Sequence, residues 1–257
     1  EPPGSLIERD SNGNPTGLLL AKPNALLLYS TLARAPKLPY EFQLNSSRQF
    51  MWELNRLGIT SVVDAGGGYH KYPDDYKVIE ELHQRGELTV RIAYNLFPQQ
   101  PKEELTDFNR WTNSIQLHQG DEFYQVNGVG ETLVFSASDF EDFLQPRPDL
   151  TASMEEDLKP TVKLLVEKGW NFRMHATYDE SISRFLDVFE EVDREVPLSR
   201  VRWFFDHAET ITDRNLERVK ALGGGIAIQH RMAYQGEYFI NRYGEQAASQ
   251  TPPIQRM

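Results

Sequence analysis

Two histidines stand where metal chemistry is usually assembled. His175 closes the apolar run Asn171-Phe172-Arg173-Met174-His175, and His207 closes the next one, Val201-Arg202-Trp203-Phe204-Phe205-Asp206-His207. If both runs are neighbouring strands, the imidazoles share one rim, roughly 5 Å apart by strand spacing. That separation suits two ligands of one divalent ion. Zinc takes neutral imidazole readily, needs three or four such donors and, at a catalytic site, keeps one position open for water. Water held there loses a proton near neutral pH and can attack a carbonyl. Either histidine alone reads equally well as a hydrogen-bonded core residue; the matched pair favours the ligand reading. The chain has no cysteine, so any metal must be held by His and carboxylate groups.

Other residues are weaker candidates. Glu131 lies in the glycine-loosened Asn127-Gly128-Val129-Gly130-Glu131-Thr132 and can either bind a metal or stand in a solvated loop. Asp64 ends an apolar run beside Gly66-Gly67-Gly68, which allows a substrate-facing carboxylate but suits a turn-capping Asp better. His230 ends the last apolar run and is a candidate substrate contact, with rim packing as the plainer reading. Strand alternation turns Asp206 away from the ligand set and makes it an outward salt-bridge partner. His70, His83 and His118 lack paired spacing and read as surface residues. No HExxH, GxSxG or phosphate-binding glycine motif occurs.

The elements that must position these groups recur as helix, glycine, strand. Residues 41–57, 76–84, 154–167, 181–192 and 215–222 read as helices. Strands are expected at 59–64, 88–94, 123–127, 171–175, 201–207 and 225–229, with loop-rich chain between Glu103 and Gly120. This alternation predicts a parallel sheet with right-handed crossovers. Polar residues at the strand C-terminal ends favour a barrel over an open sheet, because barrel enzymes gather their chemistry on that rim. Residues 1–40 read as a hairpin (6–9 with 17–20) and linker, part of an insertion or small β region. Residues 41–257 read as a partial barrel with six of the eight strands.

The 257 residues carry 27 basic and 38 acidic side chains, a net charge of −11 that repels phosphate backbones and anionic membranes. No apolar run approaches the ~20 residues of a membrane span, and the opening Glu1-Pro2-Pro3-Gly4 lacks the charged and apolar regions expected of a signal peptide. Cytoplasm is the default expectation.

Several segments together resemble the YtcJ-like branch of the metal-dependent amidohydrolases, also called amidohydrolase family 3. Leu6-Ile7-Glu8-Arg9-Asp10-Ser11-Asn12-Gly13-Asn14-Pro15-Thr16-Gly17 resembles its segment ending in Pro-Thr-Gly, and Gly58 to Asp64 its second barrel strand. Met174-His175-Ala176 and Asp206-His207-Ala208-Glu209 resemble its strand-five and strand-six histidine motifs. Gln229-His230, Tyr243-Gly244-Glu245 and Thr251-Pro252-Pro253-Ile254 resemble the stretch leading to its eighth strand. The resemblance implies an α/β fold of the (β/α)8 TIM-barrel type, here about strands two to seven. It implies hydrolysis of amide-type C–N bonds in a small-molecule substrate with one or two divalent ions, zinc foremost. His175 and His207 fall on the family's ligand histidines.

Three departures follow. The family's strand-one His-x-His has no counterpart, and its catalytic Asp is expected beyond Met257. Many relatives also carry a carboxylated Lys in strand four, where Tyr124-Gln125-Val126-Asn127 has none, leaving a bridging role open to Glu131. The expectation is therefore the central part of a metal-dependent amidohydrolase, inactive by itself, whose open strand edges promote homo-oligomer formation. The alternative is a non-catalytic small-molecule-binding barrel that has lost its metal. A glycosidase ranks last, because Glu131 has no evident carboxyl partner at the required separation.

Overall fold

The computed structural model describes residues 6–21, 26–32, 34–66, 71–98, 100–141, 143 and 149–257. The expected hairpin is present: β1 (Leu6–Arg9) pairs antiparallel with β2 (Pro15–Leu20). Asp10 closes its turn by accepting the backbone N–H groups of Asn12 and Asn14 at 2.8 and 2.9 Å. Helix α1 (Leu26–Leu32) follows within what the sequence suggested was linker.

From α2 (Tyr40–Arg56) onward the chain alternates. Strand β3 (Ser61–Asp64) leads to α3 (Lys77–Gln84), β4 (Arg91–Leu96) to α4 (Glu104–Ser114), and β5 (Tyr124–Val129) to α5 (Met154–Lys168). Then come β6 (Phe172–Ala176), α6 (Asp179–Glu195), β7 (Trp203–His207), α7 (Asp213–Ala221), β8 (Gly225–Ala227), α8 (Met232–Tyr243) and α9 (Glu245–Ala248). Strands β3 to β8 form one parallel sheet in sequential order. Neighbours in the chain are thus neighbours in the sheet, as right-handed crossovers wound in one direction require.

Alternation on β6 and β7 decides what reaches the site. Phe172 pairs with Trp203, and Met174 with Phe205. These four side chains are buried beneath α6, whose Ile182, Phe185, Leu186, Phe189 and Val192 repeat at helical spacing and are buried too. Phe189 sits edge-on to Trp203, ring centroids 5.0 Å apart, and stacks on Phe205 at 5.6 Å. The intervening Arg173, His175, Phe204 and Asp206 therefore leave the opposite face of the sheet. Gly169, with φ +70°, stops α5 in the left-handed conformation that a helix C-terminus favours, and the chain turns directly into β6.

Three readings need correction. Residues 103–120 are not chiefly loop, since α4 occupies Glu104–Ser114. Its inward stripe is Glu104, Asp107, Phe108 and Trp111, and the two acids disguise the apolar period. Glu104 is buried because it accepts the Phe135 N–H at 2.9 Å. In α2 the buried residues are Leu44 and Met51, whereas Phe42, Phe50, Trp52 and Leu57 are exposed, so most of the apolar residues that mark the helix lie off its core face. Asp206 is not an outward group: it is buried, is the register partner of His175, and pairs with Arg173 on the same face. Its in-register place opposite His175 overrides the parity counted from His207.

Candidate metal centre

The C-terminal ends of β5, β6 and β7 bring Glu131, His175 and His207 together. One ligand atom from each lies within 4.8 Å of the others. His175 and His207 have ring centroids 4.4 Å apart. Both face one carboxylate oxygen: Glu131 Oε2 is 3.0 Å from His207 Nε2 and 3.6 Å from His175 Nδ1.

Each ligand is delivered by a different backbone device. His175 continues the strand alternation and is buried. His207 pairs in register with Ala176, which alternation would send to the helix side of the sheet. Its φ of +81°, followed by +50° at Ala208, breaks the parity and swings the imidazole to the cluster. A non-glycine residue held at positive φ costs roughly 1–2 kcal/mol, a strain found mostly at functional positions. Glu131 is set by Gly130, which has φ +113° and lies so close to β6 that a Cβ would come within 2.1 Å of the Arg173 carbonyl oxygen. Glu131 is locked further by its own carbonyl, which accepts the His175 N–H at 3.0 Å.

A second ring of charge surrounds these three. Asp139 is completely buried; its Oδ2 accepts the backbone N–H groups of Thr177 and Tyr178 at 2.8 and 3.0 Å, at the N-terminus of α6. Its Oδ1 has no hydrogen-bond partner and lies 3.5 Å from His175 Nε2. Arg231 places Nη1 2.8 Å from Glu141 and 3.1 Å from Glu209, and Nη2 3.4 Å from His207 Nδ1. Glu209 is fully buried, and neither of its carboxylate oxygens accepts a hydrogen bond.

The electrostatics follow from burial and these contacts. Burial opposes ionisation of Glu131, but the facing imidazoles of His175 and His207 outweigh it and hold the carboxyl well below the usual range. Burial likewise opposes a charged His175, yet the carboxylates of Glu131 and Asp139 prevail and raise its pKa. Asp139 is pushed up to about 6, chiefly by burial, against the pull of His175 and the two N–H donors. Burial also raises Glu209, with Arg231 and His207 opposing.

Of the residues the sequence singled out, Glu131, His175 and His207 converge, while Asp64 and His230 make contacts elsewhere. Asp64 Oδ1 accepts the Gly66 N–H at 3.0 Å and Oδ2 accepts the Tyr76 hydroxyl at 3.4 Å, a turn-capping role. His230 is exposed and packs edge-on against Tyr234. His118 is exposed, His83 is partly covered and meets Asp121 at 2.8 Å, and His70 lies outside the described residues. Asp139, Glu141, Glu209 and Arg231 escape a sequence reading. Glu209 alone had a signal, two residues after His207.

The donor set fits a divalent ion. Two imidazoles and one ionised carboxylate are a hard-to-borderline N/O set, and the buried His175 Nδ1 has no hydrogen-bond partner. A parallel α/β sheet carrying such donors at its strand ends defines a protein built around a polar rim site. Residues 1–257 match the model described as the amidohydrolase family, and the chain belongs to that family. Two solved structures share its fold. One is an uncharacterized metal-dependent hydrolase from Pyrococcus furiosus, 19% identical with a TM-score of 0.64, the match covering 95% of this chain and 48% of that one. The other is an uncharacterized metal-dependent hydrolase from Pyrococcus horikoshii OT3, 19% identical with a TM-score of 0.58, covering 85% and 43%. The chain thus spans about half the length of these structures. No curated protein matches it. No helix among the described residues is long and apolar enough to cross a membrane.

Proposed function

We propose that this chain supplies about strands two to seven of a (β/α)8 barrel in a metal-dependent hydrolase that cleaves amide-type C–N bonds of a small molecule. His175 Nδ1, His207 Nε2 and Glu131 Oε2 are the protein donors, and zinc is the ion best suited to them. The observation that carries this reading is the convergence of those three groups within 4.8 Å at adjoining strand ends. Glu131 stands in the role that many relatives give to a carboxylated lysine.

When bound, the ion supplies Lewis acidity and a lowered water pKa, which is what hydrolysis of an unactivated carbonyl needs. The chain's own groups prepare the site for it. The imidazoles that face Glu131 hold its carboxyl below the usual range and so favour the charged form that a cation needs. His207 is held at the rim by its left-handed backbone, and Arg231 is anchored between Glu141 and Glu209 behind it. Phe140 packs against the His175 ring at 5.2 Å and shields one side from water. The open edges of β3 and β8, with half-exposed Val63 on β3, support assembly into a homo-oligomer.

Elemental analysis of the purified protein tests the reading. About one zinc per chain, lost with a chelator and reduced by His175→Ala or His207→Ala, is expected. Protein free of metal that also fails to take up added zinc or manganese would favour the non-catalytic binding barrel.

A further inference from the structure

The dipeptide Asn-Gly occurs twice in the chain, at Asn12-Gly13 and at Asn127-Gly128. We propose that Asn12 is a site of spontaneous covalent modification, deamidating to aspartate and isoaspartate, and that the fold withholds the same chemistry from Asn127. The backbone nitrogen of Gly13 attacks the side-chain Cγ of Asn12 and forms a new C–N bond. The Cγ–Nδ2 bond breaks, and Nδ2 leaves as ammonia with the proton given up by Gly13. Water then adds to one of the two carbonyls of the five-membered imide. Opening at the side-chain carbonyl gives aspartate; opening at the main-chain carbonyl gives isoaspartate, with the chain rerouted through the side-chain carbons. The reaction needs only water, and glycine, having no Cβ, hinders the attack least.

The two sites differ in what holds them. Asn12 and Gly13 are exposed in the turn between β1 and β2, and the Asn12 side chain makes no hydrogen bond among the described residues. Strands β1 and β2 form a two-stranded sheet of their own, and only Ile7 and Leu19 in them are partly covered. A hairpin with so little buried surface opens locally at small cost. While closed, its turn restrains the reacting groups: the Gly13 N–H donates to the Asp10 carbonyl at 3.0 Å, and Asp10 Oδ1 accepts the N–H groups of Asn12 and Asn14. Opening therefore precedes attack, and Asp10 acts as the brake. Asn127 instead lies in β5, between β4 and β6 of the six-stranded sheet. Its Nδ2 donates to Asn95 Oδ1 at 3.0 Å. Gly128 is buried so close to the chain entering β6 that a Cβ would come within 2.3 Å of the Asn171 carbonyl oxygen. Attack there requires a central strand to separate, an opening close to global unfolding. At position 12, isoaspartate adds a main-chain carbon inside the hydrogen-bonded turn, and either product sets a second carboxylate two residues from Asp10, so modification loosens the hairpin.

The test is peptide mapping by mass spectrometry after incubation of the folded protein in mildly alkaline buffer, with isoaspartyl methyltransferase labelling to count isoaspartate. The peptide holding Asn12 should convert at least about 10-fold faster than the one holding Asn127, with isoaspartate among its products. In urea the two rates should become similar, because the sheet no longer protects Asn127. Asp10→Ala should speed conversion at Asn12 and leave Asn127 unchanged. Equal rates at the two sites in the folded protein, or an Asn12 that stays intact while the urea-unfolded chain converts, overturns the inference. An Asp10→Ala rate equal to that of the wild type overturns the role given to Asp10. Should that variant not fold, the wild-type comparison of folded and unfolded chain decides alone.

Discussion

His175 and Asp206 face each other across the β6–β7 ladder and leave the sheet on the same side, whereas His207, the next residue, joins them only through a left-handed backbone. The site is therefore built from one residue that obeys strand alternation and one that breaks it. Arg173, two residues before His175, lies on the same face and donates through Nε to Asp206 at 2.9 Å. An ion pair thus lies one step below the imidazoles.

Breaking that pair should be costly. Asp206 is 3% exposed, so Arg173→Met leaves a buried carboxylate without its counter-charge and is expected to destabilise the fold by about 3–5 kcal/mol. The double variant Arg173→Met/Asp206→Leu should recover most of the loss, because two apolar residues can replace a buried pair. Urea denaturation of the three proteins checks this; equal midpoints for Arg173→Met and wild type would show that the pair contributes nothing.

Gly130 is expected to be intolerant of any side chain. Its φ of +113° and the 2.1 Å approach of a notional Cβ to the Arg173 carbonyl leave no room, so Gly130→Ala must shift the backbone that carries Glu131. A stability loss of about 1–3 kcal/mol is expected from strain alone. Zinc affinity should fall with it, because Glu131 moves away from His175 and His207. Calorimetric titration that gave wild-type affinity for Gly130→Ala would separate Glu131 from the ligand set.

Acid sensitivity has an identifiable contributor far from the site. Arg218 on α7 donates to Glu190 on α6 at 2.6 Å, and this hydrogen bond holds the Glu190 carboxyl below its ordinary value. A carboxyl depressed in the folded state adds stability above its unfolded pKa and loses it as pH falls through the folded one. Arg218→Met should therefore cost about 0.2–1 kcal/mol at pH 7, given the exposure of Glu190, and the difference should shrink as pH drops below about 4. Thermal melts of both proteins at pH 7 and pH 3 measure it; a gap that widened in acid would reverse the sign.

How much of this was legible in the sequence depends on the strength of local patterns. The six strands and five of the helices follow from apolar period and glycine stops, and β6 and β7 announce their histidines because each apolar run ends on one. Glu131 was visible as a carboxylate released by glycines. Asp139 and Glu141 were hidden because they sit in irregular chain after β5, beyond the short 3-10 turn Phe135–Ala137, where no periodicity assigns a direction to a side chain. Arg231 lies four residues past the three-residue β8, where the strand has ended and no alternation gives its side chain a direction. Helix α4 was concealed by the acids on its buried stripe. The positive φ at His207 has no signature in a residue that is not glycine, so alternation misplaced Asp206.

The most direct measurement of the metal centre is X-ray absorption at the zinc edge, on wild-type, His175→Ala, His207→Ala and Glu131→Gln proteins loaded with zinc. Two imidazole nitrogens and at least one oxygen near 2.0–2.2 Å are expected in the wild type. Each histidine variant should lose one imidazole contribution and bind zinc at least 10-fold more weakly. A spectrum without imidazole scattering, or one unchanged by both histidine substitutions, would contradict the assignment of His175, His207 and Glu131 as a metal centre.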